Sequence, residues 1–290
     1  MYLKAGVSLE VSYKDILKEI VNYGSKRQTR GTTSLELSPF VWSTSYPLRN
    51  VLSNPVRKIN KAYAVIELLW ILSGRTDLEM LEPYNSNISQ FSDNGLSFHG
   101  AYGPKFCHQL TYVIEKLRAD LSSRQAIISI WERRPSESKD IPCTLSFQFL
   151  SNGKELDLIV TMRSNDAWLG FPYDVFTFTN IQSFVACKLK LLVGQYTHQA
   201  GSEHLYIDRL DLAKAAFKKE ETTVGELVET ESITKDELTQ TILIEQQLRR
   251  FYLNHDVRQL RLVSREAAKL SEPWQSWVKM LSCHLLKKIK

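Results

Sequence analysis

The chain has 290 residues, 43% hydrophobic and 24% charged, with 37 Lys and Arg against 32 Asp and Glu for a formal net charge of +5. This is ordinary globular composition, with enough apolar material for a sizeable core in one large domain or two small ones. The basic residues are scattered apart from Lys287, Lys288 and Lys290, which suits an anionic small molecule better than a nucleic-acid duplex.

Residues 12 to 23 have the spacing of a short amphipathic helix, and two β-rich runs follow between 32 and 47, ending near Pro47. A strongly apolar helix over 58 to 74 is closed by Gly74, and another opens after Pro104 and runs to 122. "QAIISIW", "CTLSFQFL" and "LDLIVTM" are alternating or β-branched runs separated by turn residues at 135 to 142 and 152 to 154, as neighbouring strands would be. Residues 173 to 193 are apolar enough for a buried helix, and "GQYTHQAGSEHLYIDRL" returns as a strand. From 209 onward the pattern is helical and more charged, with an acidic, Thr-rich surface insertion expected at 219 to 239. No repeat or linker divides the chain, so the expected fold is one α+β domain over 1 to 290, an antiparallel or mixed sheet backed by helices.

The N-terminal "MYLKAGVSLEVSYKDILKEI" lacks the long apolar run of a signal peptide, and no stretch approaches the roughly 18 apolar residues of a membrane span. A soluble cytoplasmic protein is expected. Cys107, Cys143, Cys187 and Cys283 lie far apart without CxxC spacing, which points to free thiols in a reduced compartment and to no metal site.

Four residues offer chemistry beyond that of an ordinary core. Glu67 interrupts "AVIELLWIL"; it is either a hydrogen-bonded structural carboxylate or one facing a cavity, with a raised pKa. Cys143 follows a proline at the mouth of a strand, where a cysteine serves as a small hydrophobe unless something activates its thiol. Arg124 and Arg163 flank it in sequence; each alone reads as surface, but guanidinium groups also bind phosphate and lower a nearby thiol pKa.

Four segments in order resemble the thymidylate synthase family over about residues 20 to 210. "ELLWILSGRTD" resembles the family's ELLWFLxGxT, "IPCTLSFQF" its PPCHxxxQF, "MRSNDAWLGFPYD" its QRSxDxxLGxPFN, and "GSEHLYIDRL" its GDxHxYxNH. The stretch from 211 to 290 carries no such likeness. The resemblance implies a thymidylate synthase-like fold with a twisted sheet whose face forms a homodimer interface, and a pyrimidine nucleoside monophosphate as substrate. It implies that Cys143 adds to C6 of the pyrimidine, that 5,10-methylenetetrahydrofolate is the co-substrate, that Glu67 shuttles protons, and that Tyr102 in "GAYG" helps remove the C5 proton. Arg27, Arg163 and Ser164 match the family's phosphate ligands within one subunit. Arg124 matches the first of a pair reaching across from the partner, and Gln125 replaces the second. His204 and Tyr206 resemble the pair that binds the sugar hydroxyl, although a lone His204 would read as an edge-strand residue satisfied by backbone. Asp166 matches a pterin contact and reads equally as an N-cap for the "AWLG" turn; Gly170 matches a folate-site glycine and reads equally as a backbone requirement.

Asp174 is the departure that matters most. The synthases carry asparagine there, offering an acceptor to uracil N3–H and a donor to O4. An ionised aspartate offers only acceptors, so uracil is expected to be rejected and cytosine, with its 4-amino group, accepted. In this the sequence resembles the deoxycytidylate hydroxymethylases. The segment matching the family's IWDxW reads "NISQFSDNG" without tryptophan, the last residues "HLLKKIK" do not read as an apolar lid, and Thr144 replaces a histidine. Water is therefore expected to complete the product as 5-hydroxymethyl-dCMP without oxidising the folate. Rival readings are a CMP hydroxymethylase of a nucleoside-antibiotic pathway, a thymidylate synthase or dUMP hydroxymethylase, and an inactive nucleotide- or RNA-binding homologue. Membrane and nucleic-acid partners are not expected.

Overall fold

The computed structural model describes residues 2–4, 8–29, 31–132, 137–218 and 230–289. Strand β1 (Tyr2–Lys4) leads to α1 (Leu9–Tyr23), whose buried residues Leu9, Tyr13, Ile16, Leu17 and Ile20 recur at helical spacing and place its start three residues before the expected one. Strands β2 (Ser25–Thr29), β3 (Thr32–Leu37) and β4 (Phe40–Thr44) follow. Helix α2 (Lys61–Leu72) is apolar on all sides but one; the Asn60 side chain caps it by accepting the Tyr63 N–H at 3.1 Å. Next come α3 (Tyr102–Ala119), β5 (Ile127–Ser129), β6 (Thr144–Ser151), β7 (Glu155–Met162) and β8 (Asn165–Asp166). The chain continues through α4 (Phe171–Leu189), β9 (Leu192–Ala200), β10 (Glu203–Tyr206), α5 (Leu210–Lys218), α6 (Leu238–Leu253), α7 (Val257–Ser264) and α8 (Trp274–Lys288).

The three runs expected to be neighbouring strands are neighbours: β7, β6 and β5 form one end of a mixed six-stranded sheet of order β1-β4-β9-β7-β6-β5. The single strand expected over "GQYTHQAGSEHLYIDRL" is two, in different sheets. β9 lies between β4 and β7, whereas β10 joins a four-stranded sheet of order β2-β3-β10-β8. The chain changes sheets at Gly201, where a Cβ would stand 2.9 Å from the Arg163 carbonyl oxygen, closer than any side chain tolerates.

Helix α4 lies against β7, β9 and α2, and all but its ends are buried, which explains why its sequence is apolar throughout. Helices α6, α7 and α8 pack on one another and, through α8 and α6, on α2. Of the expected surface insertion, residues 219–229 lie outside the described residues. The part that follows is stitched into the core: the Thr230 N–H donates to the Leu48 carbonyl at 2.8 Å, the Ile233 N–H to Ser183 Oγ at 2.8 Å, and both residues are buried. Among the described residues no helix is long and apolar enough to cross a membrane.

Candidate active site

A cavity of about 180 Å³ opens between α2, the N-terminus of α3 and α4. Glu67 faces it from the one polar position of α2, Tyr102 from the first residue of α3, and Asp174 from the first turn of α4. Trp70, Phe91, Phe98 and Phe178 make much of the remaining wall aromatic. The tryptophan missing from "NISQFSDNG" is thus offset by Phe91 of that segment and by Trp70 of α2. None of the lining comes from residues 230–289, so the tail helices buttress α2 from behind.

Cys143 is half-buried immediately before β6, and its loop is held by Arg163. The Arg163 backbone N–H donates to the Cys143 carbonyl (2.8 Å), its Nε–H to the Pro142 carbonyl (2.9 Å) and its Nη2–H to the Ile141 carbonyl (3.1 Å). An anion bound by Arg163 therefore shares the guanidinium with the loop that presents the thiol. Tyr102 forms the adjoining wall, its hydroxyl accepting the Thr144 N–H at 3.3 Å. Burial pushes the Tyr102 phenol far above its ordinary pKa, and the nearby Cys143 thiol and Asp174 add to this, so it is a neutral hydroxyl.

Glu67 accepts the Tyr63 hydroxyl at 3.0 Å. Burial raises its pKa from 4.5 to about 7, against the opposing effect of that hydrogen bond, which is the range a group exchanging protons at neutral pH requires. The sign for stability follows. The folded-state benefit of a neutral Glu67 is complete below pH 4.5 and is lost as the pH rises through about 7. Relative to Glu67→Gln, the unmodified protein is expected to lose about 1–3 kcal/mol of stability across that window. Urea midpoints on both sides of the window measure it, and parallel curves for the two proteins would show that Glu67 titrates normally.

The surroundings of Asp174 bear on the expectation of an ionised acceptor drawn from sequence. Burial pushes its pKa well above the carboxylate range, and the neighbouring acids Glu67 and Asp166 push it further, against a hydrogen bond from Asn165. These surroundings favour the neutral acid over the ionised acceptor. Its neighbour Gly170 has φ −89°, so no special backbone conformation demands glycine. Space does: a Cβ there would lie 2.7 Å from Asn165 Oδ1 and 3.2 Å from Asp174 Oδ2. Asp166 does what an N-cap does, its Oδ1 accepting the Trp168 and Leu169 N–H groups at 2.8 and 2.9 Å.

Ser164 Oγ and His204 Nδ1 are 3.3 Å apart, and the His204 and Tyr206 rings meet edge to face at 5.0 Å, so these three expected ligands form one group. Arg27 on β2 shares their sheet, in register with Ser34 of β3 opposite Tyr206, and pairs with Glu36, the residue opposite His204, at 2.5 Å; the same carboxylate accepts the Ser202 hydroxyl, and the Ser202 carbonyl accepts the Asn165 N–H. Arg124 is exposed before β5, beside a shallow depression shared with Lys116, Asp120 and Gln125, and does not line the cavity.

Sequence reasoning missed several residues of this region. Asp140 lines the cavity and accepts the Gly100 N–H at 2.8 Å; its only sequence signal is its place three residues before Cys143. Arg57 is buried, its Nε–H donating to the Trp168 carbonyl at 2.5 Å, and its guanidinium lies over the Trp168 and Tyr173 rings. Glu203 is fully buried, and among the described residues neither of its oxygens has a hydrogen-bond partner; burial, with Asp166 and Asp174 nearby, pushes its pKa well up. His198 and Asn165 form a buried contact at 2.9 Å.

Cys143 is not part of the cavity lining but lies close to Tyr102, which is; a thiol beside a cavity lined by a phenol and the carboxyls Glu67, Asp140 and Asp174 can add a nucleophile to an electron-poor ring and move protons around it. Its aromatic wall offers flat apolar area to a second ring system such as a pterin. Comparison with known proteins agrees. The chain is 35% identical over 229 residues to a deoxyuridylate hydroxymethyltransferase of Bacillus phage SP01, covering 72% of this chain and 60% of that protein. It is 29% identical over 216 residues to a deoxyuridylate hydroxymethyltransferase of Pseudomonas phage M6 (70% and 61%), and 27% identical over 236 residues to a thymidylate synthase of Buchnera aphidicola (74% and 86%). The chain thus spans about 60% of the length of the two phage relatives. The thymidylate synthase family model matches residues 11–257, which include every segment that builds the cavity. A match of that extent makes the chain a member of the thymidylate synthase family.

Proposed function

We propose that the chain transfers a one-carbon unit to C5 of dCMP and completes it with water as 5-hydroxymethyl-dCMP. The observation that carries this reading is a buried carboxyl, Asp174, in the cavity wall beside Glu67, where burial and neighbouring acids favour its neutral form. Nucleophilic addition at C6 needs electron density drawn out of the ring. In uracil the 4-carbonyl does this, whereas cytosine, with an amino group there, becomes comparably electrophilic when N3 takes a proton. A neutral Asp174 supplies that proton: its O–H donates to N3, its other oxygen accepts from the 4-amino group, and proton transfer leaves a carboxylate accepting from both.

The Cys143 thiolate then forms the C6–S bond and C5 becomes the carbon nucleophile. 5,10-Methylenetetrahydrofolate supplies a methylene carbon at the oxidation level of formaldehyde. Glu67 and Tyr102 line the wall where the C5 proton must leave, and Glu67 is the one able to hold it at neutral pH. C5 would bond to that methylene carbon; loss of the C5 proton would break its bond to the folate nitrogen, water would add to the one-carbon unit left on C5, and departure of the thiolate would restore the ring, with no net oxidation or reduction of the folate. Glu67, Asp140 and Asp174 give the cavity three carboxyls able to hold that water. Ser164, His204 and Tyr206 hold the sugar and phosphate end beside Arg163, and Arg124 completes the phosphate site of a second copy in a homodimer.

A second reading, dUMP hydroxymethylation, is favoured by the names of the two phage relatives. It requires the Asp174 acid to donate to O4 and accept from N3–H, the opposite sense. Incubation with methylenetetrahydrofolate and either dCMP or dUMP, followed by mass analysis of the nucleotide, separates the readings. Hydroxymethyl-dCMP formed without dihydrofolate absorbance is expected. A methylated nucleotide with stoichiometric dihydrofolate would contradict hydroxymethylation, and turnover of dUMP alone would establish the second reading.

A further inference from the structure

Which base Asp174 accepts depends on which of its two oxygens keeps the proton, and the structure contains a device that decides this. Behind Asp174 runs a buried polar chain. Tyr196 Oη is 2.9 Å from His198 Nδ1, His198 Nε2 is 2.9 Å from Asn165 Nδ2, and the Asn165 side chain hydrogen-bonds the Asp174 carboxyl. His198 has no exposed surface, and the rings of Phe40, Phe171 and Tyr196 meet it edge to face at 6.4, 5.1 and 6.2 Å. Tyr196 and His198 share the inward face of β9, and Asn165 approaches from β8.

We propose that Tyr196, His198 and Asn165 are positioning residues that fix the direction of the hydrogen bonds Asp174 offers to the pyrimidine, and thereby set the choice between cytosine and uracil. This rests on the reading of Asp174 as the base-reading residue. An amide nitrogen only donates, so His198 Nε2 accepts from Asn165 and the proton of the neutral ring sits on Nδ1, donated to Tyr196 Oη. Burial lowers the His198 pKa to about 3, so the ring stays neutral and this order holds at neutral pH. The Asn165 and Asp174 side chains also come together over Gly170, where Asn165 Oδ1 and Asp174 Oδ2 would lie 2.7 and 3.2 Å from the same Cβ, and an N–H given by Asn165 there favours the carboxylate. The oxygen that receives this bond is an acceptor, which confines the acid's proton to the other oxygen. Glu67 from α2, Tyr102 from α3, Asp166 from β8, Tyr196 from β9 and Glu203 from β10 surround the same carboxyl and govern how readily it ionises. The chain governs which oxygen keeps the proton.

Tyrosine, histidine and asparagine can each donate or accept, so the chain reverses only as a whole. In the reversed order the tyrosine donates to Nδ1, Nε2–H donates to Asn165 Oδ1, and an acceptor faces the carboxyl. The proton then moves to the other Asp174 oxygen and the opposite base edge is matched.

Two measurements on the full chain test this. The ¹⁵N shifts of His198 at neutral pH should be those of a neutral ring protonated on Nδ1; a ring protonated on Nε2 would overturn the proposal, and this needs no variant. Tritium release from C5-labelled dCMP and dUMP then provides the ratio of kcat/KM for the two bases. His198→Phe, which keeps the aromatic packing, and Asn165→Ala should each shift that ratio by about tenfold or more, while His198→Gln, which retains an acceptor for Asn165, should keep it within about threefold. A ratio unmoved in His198→Phe and Asn165→Ala, with only overall rate or stability reduced, would assign these residues a structural role alone and overturn the proposal. If the unmodified protein prefers dUMP, the cytidylate reading fails; the positioning proposal then stands or falls on whether the same variants shift that preference by the same factor.

Discussion

Alanine in place of Cys143 is expected to abolish tritium release from C5-labelled nucleotide, lowering it by about four orders of magnitude or more. Exchange at C5 requires a covalent bond at C6, because only the adduct converts the C5–H bond from vinylic to one that a carboxylate can break. Nothing else beside the cavity replaces a thiolate, since Tyr102 is held neutral by burial. The loop that presents Cys143 is tied down through main-chain carbonyls of Ile141, Pro142 and Cys143, all of which survive the substitution. The variant should therefore fold with a thermal midpoint close to that of the unmodified protein and still bind nucleotide. Undiminished exchange in a folded Cys143→Ala protein would remove covalent catalysis from the account.

Asparagine at position 174 is expected to invert base preference, lowering kcat/KM for dCMP relative to dUMP by about 10³–10⁴, which is about 4–5.5 kcal/mol of differential transition-state binding. Two effects act in the same direction. An amide cannot hand a proton to N3, so cytosine loses its activation toward the Cys143 thiolate. The ion pair of protonated cytosine with a carboxylate, strong in a cavity walled by Trp70, Phe91, Phe98 and Phe178, is also lost. Uracil needs neither, and it matches an amide turned so that oxygen meets N3–H and nitrogen meets O4. The Tyr196, His198 and Asn165 chain can follow that turn without losing a hydrogen bond. A variant that kept its dCMP preference would place base recognition elsewhere in the cavity.

The placement of Glu67, Cys143 and Tyr102 at or beside the cavity was legible in the sequence because each lies in a short contiguous stretch whose local structure is also predictable. Glu67 is the single polar break in an apolar helix, Cys143 stands between a proline and a strand, and Tyr102 opens a helix. What was not legible depends on contacts between distant segments. Asn165 and His198 are 33 residues apart and meet only because β8 and β9 lie in adjacent sheets; in "YTHQ" the histidine looks like any polar strand residue. Its signal was the alternation that puts Tyr196, His198 and Ala200 on one face. Arg57 reaches a carbonyl 111 residues away. The surroundings of Asp174 were hidden for the same reason. The residue type was visible, but the burial and the nearby Glu67 and Asp166 that raise its pKa were not. One strand was read where two exist because the break at Gly201 is made by the Arg163 carbonyl, from another segment.

The account turns on a neutral acid that protonates N3 of cytosine. Competition between dCMP and dUMP for the unmodified protein, followed by tritium release from each C5-labelled nucleotide, tests it most directly. Release from dCMP should exceed release from dUMP by about 10³ or more, and should fall as the pH rises through the titration of Asp174. Equal release from the two nucleotides, or faster release from dUMP, would contradict it.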